Sequence, residues 1–133
     1  MSLTPENAGY RVDLGRIEAQ MNKDEKARRN FAEAAQLNPA SDRAFYYLGL
    51  LDAKEGRAAE AEANYRKAMT LAPDLPQPRI KLAKLLAAQG RISEARTLLH
   101  EAVELDPGNA ESRALLEGDS DLGSSPPTRK SKR

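Results

Sequence analysis

Cysteine and tryptophan are absent, phenylalanine occurs twice and histidine once. Without cysteine there is no disulfide framework, no thiolate nucleophile and no cysteine-based metal site, and the chain suits a reducing compartment. Aromatic residues make up only 5% of the chain, too few for a β-sandwich, whose core draws on aromatic and β-branched side chains. No apolar run approaches the ~18 residues that a membrane span needs. The opening Met1-Ser2-Leu3-Thr4-Pro5-Glu6 has neither the basic n-region nor the apolar h-region of a signal peptide. These features predict a cytoplasmic protein that engages no membrane.

Strong charge of either sign is missing too. The net charge is +1, and even that sits at one end. Beyond Glu117 the chain holds Arg129, Lys130, Lys132 and Arg133 against Asp119 and Asp121, or 4 − 2 = +2, so the rest carries 17 basic and 18 acidic residues. A near-neutral body, and a basic tail with no aromatic residues interleaved in it, argue against nucleic-acid binding. What the chain does have is alanine, a large part of its 40% hydrophobic residues. Its core is therefore expected to form by close approach of helices, in a single domain long enough to do without staples.

The main signal is a repeat. Pro39, Pro73 and Pro107 are 34 residues apart, and the same step relates Leu14, Leu48 and Leu82. It also relates Ala27, Ala61 and Ala95; Ala34, Ala68 and Ala102; and Leu37, Leu71 and Leu105. Gly15, Gly49 and Ala83 form a near-match, as do Phe31, Tyr65 and Leu99, and a turn column reads Asn22, Gly56, Gly90. Each column has a physical reading. Gly49 on a first helix lets a second helix approach closely, and Leu48 fills the seam beside it. Gly56 ends the first helix because glycine tolerates the left-handed conformation past a helix C-terminus. Ala61, Tyr65, Ala68 and Leu71 form one apolar stripe of the second helix. Pro73 stops that helix, having no N–H and disfavouring helix at the residue before it.

A 34-residue helix–turn–helix unit with Phe45, Leu48-Gly49, Gly56, Ala61, Tyr65, Ala68 and Pro73 in this order resembles the tetratricopeptide repeat. Asp52 departs from the pattern where tyrosine is usual. The flanking copies carry Arg11 and Arg79 at the bulky position, and Asn22 replaces the turn glycine. The resemblance covers residues 8–109 and implies an all-α fold, a right-handed α-solenoid of three repeats over residues 8–41, 42–75 and 76–109. A lead-in of residues 1–7 precedes them, with Thr4-Pro5-Glu6 read as cap, first-turn proline and acidic first turn, so the first helix should begin near Pro5. A short capping helix is expected over 110–117, opened by Gly108-Asn109, with Leu115 and Leu116 covering the last repeat. Residues 118–133, rich in Gly, Ser and Pro, read as a disordered basic tail. Its Arg129-Lys130-Ser131-Lys132-Arg133 is either a localisation or anionic-surface patch or a solubilising end.

Nothing in the sequence is arranged for catalysis. His100 is a lone histidine on a helix flank, and no metal-binding HExxH or glycine-rich phosphate loop occurs. Glu60, Glu62, Glu94 and Glu104 fall on expected solvated faces, with Glu62–Arg66 an ordinary i,i+4 pair. No enzyme activity, metal or cofactor is expected.

The resemblance implies instead a peptide groove, because first helices line the concave face in that family. Carried over residue by residue, the groove is lined by Val12, Arg16, Ala19 and Gln20, then by Arg43, Tyr46, Leu50, Ala53 and Lys54. Gln77, Ile80, Lys84, Ala87 and Ala88 complete it. Members that clamp a chaperone's terminal carboxylate use lysines, asparagines and an arginine where this chain has Val12, Arg16, Tyr47, Gln77 and Lys81. Only Lys81 is in character, with Arg16 a partial substitute, so no such clamp is expected. A groove with Arg16, Arg43, Lys54 and Lys84 beside Tyr46, Leu50 and Ile80 implies a protein or peptide ligand with acidic and apolar groups. The expected function is thus a protein-interaction scaffold or adaptor. Two alternatives stay open: a self-assembling structural protein, hence a homo-oligomer, and a regulatory segment of a larger, possibly enzymatic, protein.

Overall fold

A computed structural model describes residues 5–118. The expectations for Thr4 and for the tail from Asp119 onward lie outside the described residues. The described chain is all helix and turn: α1 (Pro5–Gln20), α2 (Asp24–Leu37), α3 (Asp42–Lys54), α4 (Ala58–Leu71), α5 (Gln77–Ala88), α6 (Ile92–Leu105) and α7 (Ala110–Glu117). It divides into two compact units, Met1–Pro73 and Asp74–Arg133. In the first, α1 packs on α2, α2 on α3 and α3 on α4; in the second, α5 packs on α6 and α6 on α7.

The turn column forms one structure three times. Asn22, Gly56 and Gly90 take φ of 63°, 79° and 82°. The following amides of Lys23, Arg57 and Arg91 reach back to the carbonyls of Glu18, Asp52 and Leu86 at 2.8, 2.8 and 2.9 Å. This is the Schellman closure of a helix C-terminus, which needs a left-handed residue at its centre. Asparagine replaces glycine in the first copy because it enters that region more readily than most side chains. Second helices end alike, with the amides of Asn38, Ala72 and Asp106 bonded to the carbonyls of Ala34, Ala68 and Ala102 at 2.9 Å. The proline that follows each forces its predecessor out of helical geometry. Ser41 and Asn109 open α3 and α7 by accepting from the amides of Ala44 (3.2 Å) and Ser112 (2.9 Å).

Inside each pair the small and large columns meet. A Cβ built on Gly15 would lie 2.6 Å from the Phe31 ring, and one built on Gly49 would lie 2.6 Å from the Tyr65 ring. Backbone and ring are already in contact, so glycine is required there. In the third copy Ala83 and Leu99 stand at the same two places, both fully buried: a methyl is added on one helix where the ring is lost from the other.

The departures from the repeat pattern are matched by departures elsewhere. Arg11 pairs with Glu33 (3.3 Å) and Arg79 with Glu101 (3.0 Å). In the second copy the corresponding residues are Phe45 and Lys67, and the Lys67 ammonium lies 5.7 Å from the Phe45 ring centre. Asp52, only 2% exposed in its side chain, takes the Arg28 guanidinium of α2 at 2.9 Å and the Asn64 amide of α4 at 2.7 Å. The first copy repeats half of this, with Asn30 donating to Glu18 at 2.7 Å. In the third copy both places are leucine, Leu86 and Leu98, and both are buried. The same helix–helix seam is thus filled by an acid–asparagine pair twice and by two leucines once.

Candidate functional site

The first helices carry the candidate face. In the first unit Arg16, Arg43 and Lys54 are exposed, and Tyr46 and Leu50 are half-buried. Val12 is placed otherwise: at 1% exposure it belongs with Ala8, Gly15 and Ala19 to the stripe of α1 that faces the core. In the second unit Gln77 and Lys84 are exposed and Lys81 is half-buried, whereas Ile80 is fully buried. Val12 and Ile80 therefore have no surface left for a ligand. Of the smaller residues, Gln20, Ala53 and Ala88 are exposed and Ala19 and Ala87 half-buried.

Every exposed base of this face has an acidic neighbour from outside the expected groove. Arg43 Nη2 lies 2.7 Å from Asp13 Oδ1, and Arg16 Nη1 lies 3.7 Å from the same oxygen. Lys54 pairs with Asp24 at 2.9 Å, and Lys84 with Glu111 at 3.1 Å. The positive face expected from its own residues is therefore largely neutralised. The Asp13 and Arg43 side chains are 60% and 45% exposed, so their bond is screened by water and contributes ~0–1 kcal/mol. Asp13 was legible only as an i,i+3 neighbour of Arg16; its bond to Arg43 needs the packing of α1 on α3.

Beside these charges lies a ladder of rings. Phe31 stacks on Tyr47 (centroids 5.4 Å apart, planes at 18°), Tyr47 meets Tyr46 edge-on at 5.2 Å, and Tyr46 leans on Tyr65 at 6.2 Å. The Arg16 guanidinium sits 5.6 Å from the Tyr47 ring centre, a cation–π contact. Tyr47, half-buried, is thus part of the face, although the resemblance offered it only as a failed clamp position. Arg16, Arg43 and Asp13 thus lie beside the rings of Tyr46 and Tyr47.

Tyr65 at the base of the ladder is buried, and burial pushes its phenol well above the ordinary value of 10.0, with Tyr46 and then Asp52 pushing the same way. A folded state that holds this proton more tightly than the unfolded chain keeps its full contribution at neutral pH and loses stability as pH rises past about 10. Between about pH 10 and about pH 11.5 the melting temperature of the wild type is expected to fall faster than that of Tyr65→Phe. Parallel curves from the two proteins would contradict this.

His100 is exposed on α6. Among the described residues no group of three or more His, Cys, Asp or Glu side chains could hold a metal ion, and no helix is long and apolar enough to cross a membrane.

Comparison with known proteins gives the family. Two models described as tetratricopeptide repeat match residues 5–76 and residues 52–117. No curated protein matches the sequence. Among solved structures, the first TPR of Spaghetti (RPAP3) bound to the HSP90 peptide SRMEEVD is similar with a TM-score of 0.82 and 18% identity, over 90% of this chain and 95% of that one. The Yersinia enterocolitica type III secretion translocator chaperone SycD, solved as an alternative dimer, is similar with a TM-score of 0.77 and 22% identity, over 96% of each chain. A Thermobaculum terrenum O-GlcNAc transferase is 27% identical with a TM-score of 0.75, over 84% of this chain but 21% of that one. At such identities the first two likenesses concern the fold, which serves many unrelated partners. With its repeat columns, its turns and both family models in agreement, the chain belongs to the tetratricopeptide repeat family.

Proposed function

We propose that the chain is a protein-interaction module that takes a peptide segment of a partner on the first-helix face of its Met1–Pro73 unit. Tyr46, Tyr47 and Leu50 anchor apolar side chains, and Arg16, Arg43 and Lys54 receive acidic ones. The observation that carries this reading is the Asp13 carboxylate held by Arg43 at 2.7 Å beside Tyr47 and its Arg16: an exposed carboxylate already occupies the place a ligand's acid would take. The SycD and RPAP3 likenesses support a protein-binding role in general; neither selects this partner.

Asp13 acts as an internal competitor in this account. Peptides selected against the wild type from a random library are expected to combine acidic with apolar residues. Their affinity should fall at least about tenfold in Arg43→Glu, since a contact is replaced by repulsion. In Asp13→Asn, which frees both guanidinium groups, affinity should rise a few-fold. Binding by titration calorimetry that is indifferent to both substitutions would sink the assignment.

A further inference from the structure

Helix α1 is apolar on two sides. Its core side, Ala8, Val12, Gly15 and Ala19, packs inward. Two residues out of phase runs a second stripe, Tyr10, Leu14, Ile17 and Met21, with steps of 4, 3 and 4. That spacing keeps all four on one face of a helix, and the Met21 amide still bonds to the Ile17 carbonyl at 3.1 Å. Tyr10, Ile17 and Met21 are 65%, 53% and 55% exposed. The remaining large exposed apolar residues, Leu75 and Leu105, stand apart from any such stripe.

The second copy of the repeat indicates what belongs on this face. Thirty-four residues after Tyr10, Ile17 and Met21 come Ala44, Leu51 and Glu55. Ala44 and Leu51 are 0% and 4% exposed and share a buried cluster with Ala27, Phe31 and Ala34 of α2. Glu55 bonds to Arg28 of α2 at 3.0 Å. At the first two positions α3 is thus covered by a neighbouring helix and at the third it is tied to that helix by an ion pair, whereas the same positions of α1 are bare.

We propose that the Tyr10–Leu14–Ile17–Met21 stripe is a dimerisation face, covered by the same stripe of a second copy of this chain running antiparallel. Within the described residues no other exposed stripe of matching length exists to cover it. A second copy offers a stripe of the same length and spacing. Its direction follows from charge: Asp13 and Arg16 lie along one flank of the stripe, three residues apart. Antiparallel chains bring this flank against its own copy, with Asp13 opposite Arg16 of the second copy, whereas a parallel two-fold sends the two copies of the flank to opposite sides of the dimer. Such a contact is isologous and closes at two copies.

Sedimentation of the full chain from about 1 µM to about 1 mM, the range of weak to moderate self-association, tests this. The wild-type mass is expected to climb from 14.6 kDa and level off at twice that value. Ile17→Lys, with unchanged circular dichroism and melting temperature, should stay at the monomer mass, and Leu105→Lys should behave as the wild type. A wild-type mass constant at the monomer value would overturn the proposal. So would growth past two copies, or an Ile17→Lys variant that dimerises normally.

Discussion

Arg28→Met is expected to destabilise the protein by about 3–5 kcal/mol, the usual cost of stripping one partner from a buried ion pair. The methionine keeps the stem of the side chain, so the loss is that of the charge. Asp52, 2% exposed, would be left with only the Asn64 amide to satisfy it. By contrast, Asp52→Leu with Asn64→Leu should be neutral to within about 1.5 kcal/mol, or stabilising, because a well-packed apolar pair often matches a buried polar one. The third repeat already holds that solution in Leu86 and Leu98, at 0% and 7% exposure. Arg28 keeps Glu55 at 3.0 Å in the double variant. Urea denaturation of the two proteins measures both effects. A double variant as damaged as Arg28→Met would show that the seam depends on its charges.

Gly49 is the second position where a small change is expected to matter greatly. A Cβ there meets Tyr65 ring carbons at 2.6 and 2.7 Å, so Gly49→Ala forces the helices apart or the ring out of its rotamer, at about 1–3 kcal/mol. Gly49→Leu should cost more. Tyr65→Leu alone leaves a cavity in place of the ring and is also destabilising. Together, Gly49→Ala and Tyr65→Leu recreate the Ala83–Leu99 combination of the third repeat, and much of the loss should be recovered. The readout is the coupling in a double-mutant cycle by thermal melting. Additive losses would mean that the two columns do not meet as described, and an unchanged melting temperature in Gly49→Leu would contradict the repeat register itself.

These two cases also show what the sequence discloses. The helix pairs, their turns and their stops were legible because single residues carry them: Gly56 and Gly90 permit the left-handed turn, and Pro39, Pro73 and Pro107 end helices whatever packs around them. The close approach of a second helix at Gly49 was legible too, but that Gly15 meets Phe31 and Gly49 meets Tyr65 was not read, although the two columns vary together. Arg11, Arg79 and Asp52 looked like blemishes in the pattern. Their reasons lie at Glu33, Glu101 and Asn64, on the opposite helix, and the 34-residue step that pairs Glu18 with Asp52 and Asn30 with Asn64 was the signal that would have revealed one of them.

The candidate face was harder to read. Its helices and bases stand on the chain, but their electrostatic state does not. Asp13 and Asp24 neutralise Arg43 and Lys54 across helix contacts between residues 30 apart, a separation that has no local signature. Val12 was placed in the groove by its repeat position alone, and the packing of α1 on α2 puts it in the core. A helix apolar on two sides, such as α1, does not reveal which side faces the core until its partner α2 is in place.

The measurement that bears most directly on the proposed function is amide chemical-shift mapping of the full chain with peptides selected from a random library. The account predicts perturbations gathered on α1 and α3, strongest around Arg16, Arg43, Tyr46 and Leu50, and lost in Arg43→Glu. Perturbations confined to the outer faces of α2 and α4, and retained in Arg43→Glu, would contradict it.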